Sequence, residues 1–371
     1  MRDLMRCGCV ALALLFGCLT SAQSSLDDSF GYTEGRIIDI STDGDENCVG
    51  GGAIVLLEGG RVVSADLPQS DPFVTVDLPP FRVGQRVEVY YSNGPDGRRT
   101  YVVTDWIRRR PLIGLGVLFL LASVVVARFK GLRAFVATGT SLVIIVSFIV
   151  PRILEGWNPV VVSIIGIGGI LILAIYFVHG VNWSTSAAMA GTFLAVLITM
   201  GLGVLFSELA FLTGLGTEEA MMISAAAGQI NLKGLLLAGL LVGALGALTD
   251  ITIVQAAVVR ELAHANPEMG AAELYRRGMN VGTDHVGSLI NTLVLAYTGA
   301  ALPLLLLLTL SDFTLLRALN LELVAAEIVH TLVGSIGLIL GVPVTTYLAA
   351  LLFRGDRLPL RPGELDHAHH H

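Results

Sequence analysis

The chain has 371 residues, of which 54% are hydrophobic and only 14% charged, and its formal net charge is −7. Its mean hydropathy is +0.74. Soluble domains usually carry about a quarter charged residues, so an ordinary water-soluble globule is excluded, and with no basic cluster nucleic acid is set aside.

Residues 1–22 read as an export signal. Arg2 and Arg6 precede an apolar run from Val10 to Leu19, and Thr20-Ser21-Ala22 supplies small residues before Gln23. Three outcomes stay open: cleavage after Ala22, retention as a signal anchor, or lipoprotein processing at Cys18. Each places the next segment outside the cytoplasm. Cys48 is then the one exported cysteine, which allows neither an internal disulfide nor a thiolate metal site.

Residues 30–107 alternate in short runs between turns. Arg36–Ile40, Ala53–Leu57, Phe73–Asp77, Arg86–Tyr90 and Thr100–Val103 are strand-like, and Glu58-Gly59-Gly60, Leu78-Pro79-Pro80 and Ser92–Gly97 are the breaks. The pattern predicts a small extracytoplasmic all-β domain, an OB-like barrel or a sandwich. The acidic stretch Asp39–Glu46 fits a solvated loop better than a cation site.

Residues 111–353 carry the apolar blocks, each near the roughly 20 residues that cross a bilayer as a helix. Seven spans are expected: Pro111–Ala127, Phe135–Val150, Val160–Val178, Ser184–Phe206, Leu232–Ile253, Gly287–Leu308 and Leu323–Leu340. Asn158-Pro159 marks a turn and Leu302-Pro303 a kink. The stretch Leu232–Ala263 is about 48 Å long as one straight helix. It therefore either breaks near Thr249-Asp250 or projects beyond the bilayer. Thr217–Ile230 is expected as a surface helix, and Gly270–Met279 as a separate amphipathic helix.

Loop charge sets the orientation. An outer N-terminal domain and seven spans put Arg128, Lys130, Arg133, Arg260, Arg276, Arg277 and the tail 354–371 in the cytoplasm. Glu208, Glu218, Glu219 and Asp312 lie opposite. Arg108, Arg109 and Arg110 break the rule at the outer end of the first span. The whole reads as a multi-pass protein of a bacterial inner membrane. The terminal histidines fit a tag remnant as well as a metal site and take no part in the functional argument.

Ionisable and amide groups within spans are costly, so each is a candidate for function. They concentrate in the last three spans, the first four reading mostly as apolar scaffold. Gly239, Gly243, Gly246 and Asp250 share one stripe of the fifth span, where the glycines admit a second backbone. In the sixth, Asp284, Ser288, Asn291 and Thr298 share a face, with His285 and Thr292 beside it. In the seventh, Glu327, His330, Thr331 and Gly334 do the same. Asp284 also fits an ordinary helix cap, and Ser288 and Asn291 fit interhelical hydrogen bonding.

Two runs resemble the YibE/F-like family of bacterial membrane proteins. They are Gly243–Gln255, containing Thr249-Asp250-Ile251-Thr252, and Arg277–Thr292, containing Gly282-Thr283-Asp284-His285. The resemblance covers about Thr100 to Leu352 and implies a multi-span membrane core. It implies no substrate, cofactor or catalytic residue.

Three functions fit the residues. A permease for an ion or small solute would bind a cation or proton at Asp250, with Ser288 and Asn291 as neutral oxygen ligands and His330 as a proton relay. An intramembrane zinc hydrolase would draw ligands from Asp250, His285 and His330. A non-catalytic scaffold or envelope assembly factor would use the β domain to contact a partner. Transport ranks first and enzyme last; no cofactor is assigned, and the glycine stripes leave a homo-oligomer open. An alkaline phosphatase fused after Arg354 is expected to be inactive in whole cells; activity there would overturn the orientation.

Overall fold

The computed structural model of the chain describes residues 30–41, 52–68, 80–94, 98–226, 230–311 and 313–354. The expected signal, the run Phe73–Asp77, Cys48 and the histidine-rich terminus lie outside these residues. The chain divides into two compact units that meet in sequence between Val126 and Ala127.

The first unit is a five-stranded β-barrel of β1 (Phe30–Ser41), β2 (Gly52–Leu57), β3 (Val62–Asp66), β4 (Arg86–Asn93) and β5 (Arg99–Trp106). The barrel closes in the order β1-β2-β3-β5-β4. β3 and β5 pair in parallel and every other pair is antiparallel. In strand number and closure it follows the OB-like expectation. Strand β1 makes closure possible by pairing with β4 through Phe30–Arg36 and with β2 through Gly35–Ser41. At the crossover a Cβ on Gly35 would strike Val55, and a bulge between Ile37 and Asp39 bends the strand. Alternation fills the interior: Ile37, Ala53, Val55, Val87, Val89 and Val103 are all fully buried. Trp106 stacks on Phe81, with ring centroids 4.3 Å apart, and its indole donates to Gln85 Oε1.

Barrel carboxylates meet two of the arginines that break the orientation rule. Arg108 pairs with Asp105 at 2.5 Å, and Arg109 pairs with Glu34. The Arg108 guanidinium holds the Asp105 carboxyl below its usual range, helped by the Trp106 backbone amide.

The helices are α1 (Arg109–Leu154), α2 (Pro159–Phe177), α3 (Trp183–Leu209), α4 (Glu218–Ala226), α5 (Leu232–Ala265), α6 (Ala271–Ala300), α7 (Leu302–Leu310), α8 (Leu315–Leu319) and α9 (Glu322–Leu352). Among the described residues five of them, α1, α2, α3, α5 and α9, are long and apolar enough to cross a membrane. The bent pair α6–α7 makes a sixth if it is counted as one span.

Several boundaries differ from expectation. The first two expected spans are present as two helices within α1 that meet at a kink at Arg128 (φ 51, ψ −131), with no loop between them. No proline and a single glycine, Gly131, lie between Arg128 and Phe135, so helix resumes at once. A π-turn at Ile145–Ile149 precedes Pro151 and absorbs the hydrogen bond that proline cannot make. Helix α5 runs unbroken through Thr249-Asp250, so the break considered there is absent. The separate helix expected at Gly270–Met279 is the first part of α6. The kink at Leu302-Pro303 is present, with α6 and α7 meeting at 57°.

Close backbone contact organises the bundle. Helices α3 and α9 run antiparallel and touch at two matched points: a Cβ on Gly191 would collide with Thr345, and a Cβ on Gly337 would collide with Thr199. The apolar core forms around them from Ile167 and Leu171 of α2, Val196 of α3, Leu241 and Leu248 of α5, and Leu338 of α9. Some buried hydroxyls are paired inside: Thr192 and Thr252 share a 2.5 Å hydrogen bond across α3 and α5, whereas the hydroxyls of Ser163 and Thr345 have no partner among the described residues.

Gly191→Ala is therefore expected to cost about 1–3 kcal/mol by overpacking, read as a lower melting temperature in detergent. Gly201→Ala on the same helix, where a Cβ meets nothing within 4 Å, is expected to melt no lower than the parent. Equal melting of the two variants would contradict the packing.

Candidate functional site

Two sequence runs interlock before any site appears. The Gln255 side chain of α5 is 1% exposed. It donates from Nε2 to the Gly278 carbonyl at 2.8 Å and to Thr346 Oγ1 at 2.7 Å. A Cβ on Gly282 would lie 2.6 Å from Val342 and 3.0 Å from the Gln255 amide; one on Gly278 would lie 2.9 Å from Thr346. These glycines let α6 settle against both α5 and α9.

Burying that face turns the other outward. Asp284, His285, Ser288, Asn291, Thr292 and Thr298 are exposed on α6, and Asp250 is exposed on α5. Asp284 is not a helix cap, because α6 passes through Gly282-Thr283 without a break. Gln255 meets Gly278 and Gly282, while a Cβ on Gly243 would meet the Tyr297 hydroxyl at 2.8 Å. This antiparallel register places Asp250 level with about Gly287. On α5, Gly239 and Gly246 face open space while Tyr297 lies against Gly243, so the glycine stripe expected to seat another helix is only partly covered in the single chain.

Glu327 and His330 stand apart from this row. With Glu219, Gly239 and Glu322 they line a cavity of about 240 Å³. The His330 Nε2 is buried without a hydrogen-bond partner among the described residues. Glu322 plays a structural part here: its carboxylate accepts from the amides of Thr213 at 2.7 Å and Gly214 at 2.6 Å, and from the Thr213 hydroxyl. It thereby ties the loop after α3 to the start of α9.

A second cavity, of about 320 Å³, lies at the opposite end of α5 and draws on elements that the sequence reading took for scaffold. Lys130 and Arg133 of α1, His179, Asn182, Ser184 of α3 and Arg260 of α5 line it. Partial desolvation lowers the pKa of His179 below its ordinary value. The Ile175 carbonyl opposes that shift, Lys130 adds to it, and Asp250 opposes it again. Helix spacing puts Asp250 on the side of α5 that carries Ile253 and Ala257, which line the same cavity.

The expected residues thus fall into separate groups. Asp250 and the α6 row share a surface, Glu327 and His330 share a cavity, and His179 lines the basic cavity. Among the described residues no three His, Cys, Asp or Glu side chains come together as metal ligands. Asp250, His285 and His330 accordingly do not form a zinc site, and the hydrolase reading loses its geometric basis. Sequence reasoning missed Lys130, Arg133, His179, Ser184 and Tyr297. A search for polar residues at one level across all helices, rather than along each helix, would have found the first four.

A family model described as YibE/F-like protein matches residues 115–355. The chain belongs to the YibE/F-like family, and the match spans the helical unit while leaving the barrel outside it. No curated protein and no solved structure matches the chain.

The contact between Gly243 and Tyr297 yields a double-variant test. Gly243→Ala alone is expected to destabilise the protein by about 1 kcal/mol through the displaced hydroxyl. Combining it with Tyr297→Phe should recover most of that loss, because the next ring atom lies 4.0 Å away. Simple additivity of the two melting shifts would show that the helices do not meet there.

Proposed function

We propose that the protein is a multi-span inner-membrane permease for an ion or small solute, with its barrel on the outer side and its basic end in the cytoplasm. In this reading the helices make seven crossings. Arg128 divides α1 into two spans, α2, α3, α5 and α9 supply one each, and the bent pair α6–α7 supplies the last. A straight α1 of 46 residues would be about 69 Å long, more than twice a hydrocarbon core of about 30 Å. The pairing of Arg108 with Asp105 and of Arg109 with Glu34 supports the orientation, since two of the three misplaced charges are compensated.

The observation that carries the transport reading is the exposed polar row. Asp250, Asp284, His285, Ser288 and Asn291 lie open on two helices whose other faces are apolar or packed. A carboxylate in hydrocarbon is costly by several kcal/mol, so such a face serves a hydrated path or a second subunit. Helix α5 links the ends of that path. Gly239 lines the cavity of Glu327 and His330, and Ile253 lines the basic cavity, about 21 Å further along the axis. Along this route Asp250 and Asp284 attract a cation or proton, Ser288 and Asn291 offer neutral oxygens, and Glu327 with His330 passes a proton at the far end.

Flux of protons and alkali cations into proteoliposomes is the test. Asp250→Asn is expected to lower it at least about tenfold while leaving the melting temperature within a degree or so. Undiminished flux in Asp250→Asn would remove the carboxylate from the path. No flux of any cation in the parent protein would move the reading toward a scaffold.

A further inference from the structure

We infer that the basic cavity at the Lys130 end of the bundle binds the phosphate group of an anionic ligand; the cavity lies at one end of the route proposed above, and the binding stands on its own lining. Three fixed cations converge on it: Lys130, Arg133 and Arg260. Among the described residues Lys130 and Arg133 make no ion pair, and Arg260 meets only Glu261, at 3.0 Å on the exposed rim. The cavity lining holds these three cations and, among the described residues, no carboxylate.

Neutral donors complete the site. The Ser184 side chain lines the cavity, is 5% exposed, and has no hydrogen-bond partner among the described residues. Its hydroxyl oxygen is open to the cavity rather than sealed off, so it can donate to an oxyanion there. Ser184 also sits in the first turn of α3, a 27-residue helix. Asn182 Oδ1 accepts only the Thr185 amide there, so the amides of Trp183 and Ser184 stay available at the positive end of the helix. Guanidinium forks, a hydroxyl and helix-terminal amides around one cavity suit a tetrahedral oxyanion. A planar carboxylate would leave part of this donor set idle. Val178, Ala188, Ile253 and Ala257 form the apolar remainder of the wall.

The phosphate can be that of an anionic phospholipid headgroup or a free one, and two arms of one experiment separate them. Full-length protein in detergent is titrated with phosphatidylglycerol, with phosphatidylcholine as control, and read by native mass spectrometry. Separately, inorganic phosphate is titrated against chloride at matched ionic strength and read by thermal shift. The variants are Lys130→Gln with Arg133→Gln, and Ser184→Ala alone. Binding of at least one anionic probe is expected to weaken about thirtyfold in the double variant and about fivefold in Ser184→Ala, with phosphatidylcholine unaffected. Loss confined to phosphatidylglycerol assigns the site to a headgroup; loss of phosphate binding in lipid-free samples assigns it to a soluble anion. Equal affinity of parent and double variant for both probes overturns the site. If the double variant fails to fold, unchanged affinity of Ser184→Ala for both probes does the same.

Discussion

The contact of α3 with α9 sets the rest of the helical unit. Gly191 receives Thr345 and Gly337 receives Thr199, so two antiparallel helices approach at two points about 12 Å apart along their axes. Lipid tails are as apolar as leucine, so packing and hydrogen bonds rather than the hydrophobic effect hold such helices together. Small residues are what let that packing become close. The same two helices bring side chains to both cavities, Ser184 at the start of α3 and Glu327 with His330 near the start of α9. Fixing their register therefore fixes how far apart the two cavities lie.

Polar groups in this unit divide by whether the bundle answers them. Thr192, Thr252, Gln255 and Thr346 are buried and hydrogen-bonded within it. They specify which helix faces meet, because a mispaired bundle would leave an amide and several hydroxyls unsatisfied. Asp250, Asp284, His285 and Asn291 are exposed and receive no such answer from the single chain. The two sequence runs shared with the YibE/F-like family contain both kinds. Thr252, Gln255, Gly278 and Gly282 build the interlock, and the carboxylates beside them are presented by it.

The barrel was legible only in part. Val87 and Val89 of β4 alternate with Arg86 and Glu88 and are fully buried, but Val55 sits between Ile54 and Leu56, so β2 reads as a continuous apolar run, and β3 (Val62–Asp66) is a strand that the sequence pattern did not reveal. Apolar blocks likewise revealed most helices, but not their ends. Gly270 and Asn280–Asp284 carry the local chemistry of caps and turns, yet α6 continues through Gly282-Thr283 because Val342 and Gln255 occupy the space a side chain would need. That is tertiary packing overriding a local signal. The basic cavity escaped for a different reason. Lys130, His179, Ser184 and Arg260 are distant in sequence and sit at helix ends, where each alone looks like an ordinary loop residue.

Arg128 carries a conflict that neither unit resolves. Its backbone (φ 51, ψ −131) falls where glycine is the natural occupant, and a side chain there costs on the order of 1–3 kcal/mol. Glycine would relax the chain but remove a positive charge from the cluster it forms with Lys130 and Arg133. Conformational ease and charge placement thus make opposite demands on a single codon. Glycine at this position would give a better-relaxed helix break and one positive charge fewer beside Lys130. An arginine in this backbone conformation therefore keeps its charge at the expense of local conformational ease.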